Sequence, residues 1–302
     1  MLFKRLFFRK PKLSPKKPAV IVISSHVVRG SVGNRAAAFA LESLGFPVWS
    51  VPTVTLPWHP GHGPGTRIVP PAEAFAAMVD ELAGSRWLGE VGAVLIGYFG
   101  ETAQIEPVAR LIEAVRAKNP KAVVLCDPAT GDGGRLYQPR KLLDAIAERL
   151  LPLADIATPN RFELEFLTGL ELADNRELIE AASALGPRTV VVTSAFPMLR
   201  GGTGNLLVDD RETMLAEHRL IENAPKGLGD LTAAVFLARI LSGATLEKAL
   251  QSTTATVFEL LARTTKRGAD ELTIETDLDS LKHPMAMVQM RRLGRSVPKQ
   301  PA

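Results

Sequence analysis

Short apolar segments alternate with helix-like segments along most of this 302-residue chain. The strand candidates are β-branched runs at 19–24, 47–53, 93–97, 122–126, 155–158 and 189–193. Helix candidates with apolar residues at three- and four-residue spacing lie between them, at 33–44, 72–83, 102–118, 139–150, 161–167 and 175–185. Because strands this short and apolar are buried on both sides, we predict an α/β, three-layer fold with a central, mostly parallel sheet. A hairpin at 206–208 and 215–220 and two helices at 231–241 and 246–264 complete it.

Positive charge is concentrated at the N-terminus. Seven of the 36 Lys and Arg residues lie in the first 18 residues, which hold no acid, so the rest of the chain has 29 basic against 32 acidic residues. The body is therefore mildly acidic, which argues against nucleic-acid binding. We predict a basic, disordered extension at 1–18; the alternative is a segment that lies on an anionic membrane surface. Residues 283–302 are predicted to form a basic C-terminal tail, loose from Arg291 onward.

The composition fits one large domain, which we place at 19–282. No apolar stretch approaches the length of about 18 residues that spans a membrane, so no transmembrane segment is predicted. Cys126 is the only cysteine, which excludes an internal disulfide and fits a reducing cytoplasm.

A glycine-rich motif precedes the helix predicted at 231–241. Residues 225–234 read PKGLGDLTAA. Glycines before a helix expose backbone N–H groups, which together with the helix dipole favour an anion such as phosphate. Asp230 would repel a phosphate, so it is more useful as a base that takes a proton from a substrate hydroxyl. On this motif alone, an ordinary loop with Asp as the N-cap is the better explanation.

Polar side chains end or follow six of the predicted strands. They are Ser24, Ser25 and His26; Thr53; Tyr98; Asp127; Thr158 and Asn160; and Thr193 and Ser194. Each one alone is consistent with a turn or a cap. Ligands of parallel α/β sheets bind beyond the carboxyl ends of the strands, so six such ends predict one shared site.

Five blocks in one order carry a family resemblance. They read SHVVRGSVGN at 25–34, CDP at 126–128 with GD at 131–132, TPNRFELE at 158–165, VTS at 192–194 and KGLGD at 226–230. Over residues 19–275 the chain resembles the pyridoxal kinases of the ribokinase-like superfamily. The resemblance implies a ribokinase-like fold, a homodimer, and ATP-dependent phosphorylation of the 5′-hydroxymethyl group of pyridoxal, pyridoxine or pyridoxamine. Asp230 would be the base, and the backbone of Gly227, Leu228 and Gly229 the anion hole.

On the nucleotide side, the resemblance implies contacts with ATP from Asp127, Thr158, Thr193, Ser194 and Lys226. Asp127 and Glu163 are the acids expected near Mg²⁺, with Glu163 acting largely through water. The alternative for Glu163 is a first-turn glutamate that complements the helix dipole. The glycine-rich segment 130–137 is expected to close over ATP and exclude water. A requirement for a monovalent cation stays open.

On the acceptor side, Ser25 and Thr53 are expected to hydrogen-bond ring substituents, and Val32 and Tyr98 to pack on the pyridine. His59 or His62 would meet the phenolic oxygen or the aldehyde. Many pyridoxal kinases carry Asn and Thr in the loop where residues 57–60 read PWHP, which leaves the preferred B6 form open.

Two other functions remain open from the sequence. A kinase for hydroxymethylpyrimidine or a sugar would share the anion hole and the Asp base, although the 25–34 block argues against a sugar. A catalytically weak binding protein for pyridoxal phosphate would not need the base. Cys126 is interpreted as an inert buried thiol, with a reversible aldehyde adduct as the alternative.

Overall fold

A computed structural model describes residues 17–294 of the chain. Nine strands form the main sheet of this part: β1 Ala19–Val27, β2 Val48–Leu56, β3 Val91–Ile96, β4 Val123–Cys126, β7 Ile156–Ala157, β8 Thr189–Ala195, β9 Gly202–Asp209, β10 Thr213–Arg219 and β11 Gln289–Arg292. Their order is β11-β10-β9-β8-β7-β4-β3-β1-β2. The strands from β2 to β8 run parallel, whereas β9, β10 and β11 add antiparallel pairs. A separate small hairpin joins β5 Gly131–Asp132 to β6 Arg135–Leu136.

Helices cover both faces of the sheet: α1 Asn34–Ser43, α2 Ala72–Ala83, α3 Ile105–Lys118, α4 Arg140–Ala145, α5 Arg161–Thr168, α6 Asn175–Ala184, α7 Leu228–Leu241, α8 Leu246–Lys266 and α9 Leu278–Lys282. The helix predicted at 139–150 is not regular, because α4 continues as a π-helical turn over Ile146–Leu150. No helix in residues 17–294 has the length and apolar character needed to cross a membrane.

The central strand β1 shows why the fold has three layers. Val20 and Val22 pack in one buried cluster with α1, α7 and α8, while Ile21 and Ile23 pack in a second cluster with α2, α3 and α4. Successive side chains of a strand point to opposite faces, so a continuous apolar strand must be covered twice. The predicted fold class is confirmed. It brings the carboxyl ends of the parallel strands to one edge.

The prediction that the chain is loose from Arg291 onward is wrong for Arg291 and Arg292, because they belong to β11, which pairs with β10. The reason is a buried charge: Glu217 of β10 is 1% exposed, and its Oε2 lies 2.6 Å from Nε of Arg291. The other oxygen of Glu217 accepts from the amides of Met198 and Leu199, so the ion pair with Arg291 completes the partners of a buried carboxylate and adds to the backbone pairing of β11 with β10. Residues 295–302 of the predicted tail lie outside the described residues.

The predicted extension at 1–18 falls mostly outside the described residues, which begin at Lys17. Lys17 already belongs to the fold. Its ammonium donates to the carbonyl of Leu44 at 2.8 Å and lies 4.1 Å from the centre of the Phe46 ring. These contacts cover the C-terminal end of α1, where a cation complements the helix dipole.

Candidate active site

The glycine-rich motif forms the start of α7. Gly227 adopts a left-handed conformation with φ 98°, and α7 begins at the next residue, Leu228. The first N–H groups of a helix have no backbone partner within the helix, and the N-cap Gly227 has no side chain to cap them. The carboxylate of Asp230 accepts from its own N–H. A Cβ on Gly227 would lie 2.1 Å from the carbonyl oxygen of Ser31 and 3.1 Å from Cγ1 of Val32. Only glycine fits, and the motif is pressed against the loop between β1 and α1.

Asp230 is the third residue of α7, and the N-cap of the helix is Gly227, so the ordinary Asp N-cap is not what the structure contains. Burial raises the pKa of Asp230 to about 6, although a hydrogen bond from the Gly33 amide works in the opposite direction. Gly33 in turn has φ 56°, and a Cβ there would lie 2.4 Å from Oγ of Ser25. The structure therefore brings Ser25, Gly33 and Asp230 together. A carboxylate with a pKa near neutrality is suited to accept a proton.

Two more acids lie near the start of α7. Asp127 follows β4 and is 6% exposed; its Oδ2 lies 3.8 Å from the Cβ position of Gly229. Burial raises the pKa of Asp127 well above its ordinary value, and the charges of Glu163 and Asp230 raise it further. Burial also raises the pKa of Glu163 to about 7. Buried like charges oppose ionisation, so this crevice favours a cation.

Glu163 is anchored by backbone amides. Its Oε1 accepts from the N–H groups of Thr130 and Gly131 at 2.7 and 3.3 Å, and its Oε2 accepts from that of Asn160 at 2.8 Å. Asn160 is the N-cap of α5 and its side chain accepts from the N–H of Glu163, a reciprocal capping box. Both carboxylate oxygens are thus engaged, which suits action on a metal through water.

The oxygen-rich crevice fits Mg²⁺. Besides the two acids, Thr130 and Thr158 each have a buried Oγ1 without a hydrogen-bond partner among the described residues. No group of three or more His, Cys, Asp and Glu side chains in residues 17–294 could hold a metal by itself. Mg²⁺ is usually held through one or two carboxylates, with waters and phosphates completing its shell, so this arrangement suits it.

The end of β8 is distorted where the nucleotide phosphates are expected. The pairing of β8 with β9 shifts between Val192 and Ala195, and Ser194 is in the left-handed region with φ 57°. Thr193 pairs instead with Asn160 of α5. Strain of this kind in a non-glycine residue is common at ligand sites. Ser194 and Asn160 also line a cavity of about 490 Å³ together with Asp132 and Gly133.

The glycine-rich segment 130–137 contains the small β5–β6 hairpin, which contacts the residue before Gly227. Nζ of Lys226 lies 3.1 Å from Oδ2 of Asp132. The sequence identified Lys226 but not this partner. It also missed Tyr137, whose pKa is raised by burial and by the charges of Asp132, Glu163 and Asp230. The signal for Tyr137 was its position at the end of the glycine-rich segment.

On the acceptor side, Thr53 is fully buried and donates its hydroxyl to the carbonyl of Tyr98 at 2.7 Å. Thr53 therefore supports the backbone of Tyr98, and its contact with a substrate stays a prediction. Burial lowers the pKa of His59, with smaller contributions from the charges of Lys226 and His62. His59 is thus close to Lys226 and favours its neutral form, which can donate and accept hydrogen bonds.

Two other features carry no chemistry. A groove of about 610 Å³ is lined by Arg263, Lys266 and Arg267, and none of the predicted site residues lines it. Its two guanidinium groups pair with acids, including Asp277. Cys126 is fully buried, and burial together with the charges of Asp127 and Glu163 raises its thiol pKa. An inert thiol was the preferred interpretation, and this environment supports it.

In this structure the strand ends of a parallel sheet lie near the N-terminus of α7. One acid lies in the first turn of that helix, and two more acids lie nearby. This arrangement is typical of a class of protein, the small-molecule kinases with the ribokinase-like fold. A family model described as phosphomethylpyrimidine kinase matches residues 75–275. Pyridoxal kinase PdxY of Rubrobacter xylanophilus is 37% identical over 282 residues, which cover 91% of this chain and 97% of that protein. Pyridoxal kinase PdxY of Pseudomonas paraeruginosa is 34% identical over 288 residues, which cover 92% of this chain and 100% of that protein.

Solved structures agree with these relatives. Pyridoxal kinase from Leishmania donovani in complex with ADP and pyridoxamine has a TM-score of 0.85 and 30% sequence identity, over 92% of this chain and 100% of that one. The chain therefore belongs to the pyridoxal kinase family of the ribokinase-like superfamily. The predicted resemblance is confirmed.

Proposed function

We propose that the chain transfers the γ-phosphoryl group of ATP to the 5′-hydroxymethyl group of pyridoxal and related B6 vitamers. The observation that carries the proposal is the placement of Asp230 in the first turn of α7, where a glycine is the N-cap and the amide of Gly33 donates to the Asp230 carboxylate. The relatives named pyridoxal kinase supply the acceptor class.

In the proposed reaction, Asp230 takes the proton of the acceptor hydroxyl while the hydroxyl oxygen attacks the γ-phosphorus of ATP. The bond from phosphorus to the bridging oxygen breaks, and ADP leaves. N–H groups of Gly227, Leu228 and Gly229 stabilise the charge on the transferring group. Lys226 exchanges Asp132 for a phosphate oxygen, since an ammonium binds a phosphate as a point charge.

The same proposal assigns the nucleotide side. Thr158, Thr193 and Ser194 would contact the phosphates, and Asp127 and Glu163 would hold Mg²⁺, Glu163 through water. When bound, the metal neutralises charge on the phosphates. Val32, Tyr98 and His59 would contact the pyridine ring.

We further propose a homodimer that works in the cytoplasm, with a monovalent cation as a second ion to be tested. The support is the family resemblance for the dimer and the lone cysteine for the reducing compartment. Sedimentation of the purified chain would measure the assembly. Activity in KCl compared with a tetraalkylammonium salt would measure the cation requirement.

The test is ADP release with MgATP and a panel of acceptors: pyridoxal, pyridoxine, pyridoxamine, hydroxymethylpyrimidine and ribose. Turnover with a B6 vitamer that disappears in Asp230→Asn supports the proposal and ranks the vitamers. Turnover with hydroxymethylpyrimidine alone would assign the chain to that second activity, which the description of the matching family model favours. Binding of pyridoxal without any turnover would contradict a kinase.

A further inference from the structure

A charged cluster outside the active site joins the segment after α8 to two loops of the acceptor side. Its members, which we call the Glu271 latch, are Arg29, Gly30, His62, Asp270 and Glu271. Nε2 of His62 lies 2.9 Å from Oε1 of Glu271, and Nη1 of Arg29 lies 3.6 Å from the same oxygen. Arg29 also binds both carboxylate oxygens of Asp270 at 2.8 Å.

Gly30 packs directly on the carboxylate of Glu271. It has φ 106°, and a Cβ at this position would lie 2.5 Å from Oε1 and 2.7 Å from Oε2. No other residue type fits here without displacing Glu271. The backbone of the β1–α1 loop is therefore set by the position of this one side chain.

Two properties distinguish Glu271 from the other acid of the latch. Glu271 is 9% exposed, and neither of its carboxylate oxygens has a hydrogen-bond partner in the described part of the chain. Its contacts with Arg29 and, when His62 is protonated, with His62 are ion pairs. The side chain of Asp270 is 61% exposed, and surface pairs of this kind contribute little. A buried carboxylate depends on its charged neighbours, so Glu271 ties His62 and Arg29 to itself more firmly.

Both loops lead from the latch into the active site. Ser31, next to Gly30, places its carbonyl oxygen against Gly227 of the anion hole. His62 is the last residue of a single 3-10 turn, Pro60–His62, and His59 is the N-cap of that turn. The backbone N–H of His62 donates to the carbonyl of His59 at 2.9 Å.

We propose that Glu271 is a positioning residue for the phosphoryl acceptor: through Gly30 and His62 it holds the two loops that would enclose the pyridine ring. The proposal rests on the proposed B6 kinase activity. Glu271 acts through these loops, so we expect its loss to weaken binding of the acceptor more than binding of ATP.

The first measurement is steady-state kinetics of Glu271→Gln with Glu275→Gln as the matched control, an exposed glutamate four residues further along. We expect KM for pyridoxal to rise about tenfold and KM for ATP to change less than about twofold. Glu275→Gln should match the wild type. Loss of folded protein alone would lower the apparent kcat and leave both KM values unchanged, which would overturn the proposal.

The second measurement is hydrogen exchange of the substrate-free chain, which does not require activity. Amides of Gly61, His62 and Gly63 are bonded within the 3-10 turn and should exchange faster in Glu271→Gln than in Glu275→Gln. Equal exchange in the two variants would refute the latch. If the wild type phosphorylates no B6 vitamer, the proposed function fails, while the exchange result still decides whether Glu271 holds the loop.

Discussion

The two halves of the active site are held together in different ways. In the proposed acceptor half, close contacts at two glycines fix the β1–α1 loop: Gly33 lies against Ser25 of β1, and Gly227 at the start of α7 lies against Ser31 of the loop. In the nucleotide half, the β5–β6 hairpin is held by side-chain contacts, chiefly that of Glu163 with backbone amides and that of Lys226 with Asp132. Close-packed backbone cannot adjust, whereas polar side-chain contacts can be exchanged for those of a ligand.

This difference matches the demands of phosphoryl transfer. In the proposed reaction, the base and the anion hole would be positioned before phosphoryl transfer, because stabilisation by fixed dipoles costs no reorganisation. A hairpin that closes over ATP would have to open again in each cycle. We therefore expect substitutions in the acceptor half to lower activity strongly. Substitutions in the nucleotide half should lower activity less when the concentration of Mg²⁺ or ATP is high.

Gly227→Ala should have the largest effect of the substitutions that break this comparison. The methyl group would collide with the carbonyl of Ser31 at 2.1 Å, and the backbone at φ 98° disfavours alanine. Displacing the first turn of α7 should lower kcat about 10²-fold or more. Gly201→Ala is the matched control, since Gly201 has φ 66° with no atom within 4 Å of its Cβ position. Equal activities of the two variants would show that the close contact is unimportant.

Glu163→Gln should have an intermediate effect. A glutamine side chain has only one acceptor oxygen, so it cannot satisfy the amides of both Thr130 and Asn160. We expect the Mg²⁺ concentration for half-maximal activity to rise about 10- to 100-fold, with partial recovery at high Mg²⁺. Glu165→Gln, two residues further along α5, should leave the Mg²⁺ dependence unchanged. A loss that no Mg²⁺ concentration relieves would contradict a role near the metal.

The stability of the metal-free chain should depend on pH in a defined direction. Burial raises the pKa of Glu163 to about 7, above the ordinary value, so the folded chain binds more protons than the unfolded chain between those two values. The contribution of Glu163 to the free energy of unfolding should therefore decline as pH rises from about 4.5 to about 7.

The measurement for this prediction is Tm of the wild type minus Tm of Glu163→Gln, taken without metal at about pH 5 and about pH 8. The difference should become smaller or negative at the higher pH, and Mg²⁺ should restore it. An increase with pH would mean that the carboxylate is stabilised in its charged form.

Cys126→Ala should have the smallest effect. The thiol is fully buried at the end of β4, and its raised pKa keeps it protonated. We expect kcat/KM to change less than about twofold and the unfolding free energy to fall by about 1 kcal/mol through lost packing. In the native wild type, iodoacetamide should label Cys126 far more slowly than in the unfolded chain. Rapid labelling, or an aldehyde adduct lost in the variant, would place the thiol in the site.

Much of the fold was predictable because the parallel strands are apolar runs with helical periods between them. The strand ends then predicted one shared site, with Asp127, Thr158 and Ser194 among its residues. What the sequence did not predict depends on contacts between distant segments. The strand β11 pairs with β10 and places Arg291 beside the buried Glu217, and no local pattern signals that pairing. The roles of the individual site residues remain predictions.

The same limit applies to the Glu271 latch and to the partner of Lys226. Residues 270–271 follow the last long helix and lie far in sequence from the loops they contact. Asp132 was visible in the glycine-rich segment, but its contact with Lys226 requires the hairpin to fold onto α7. Side-chain pairs of this separation follow from the fold and not from local sequence.

The most direct test of the account is Asp230→Asn, studied by calorimetric binding and by single-turnover formation of pyridoxal 5′-phosphate. The amide has the shape of the carboxylate but cannot accept the proton. We predict that pyridoxal and MgATP still bind within a few-fold of the wild type, whereas the rate of phosphoryl transfer falls about 10²- to 10⁴-fold. Transfer at more than about a tenth of the wild-type rate would contradict a role for Asp230 as the base.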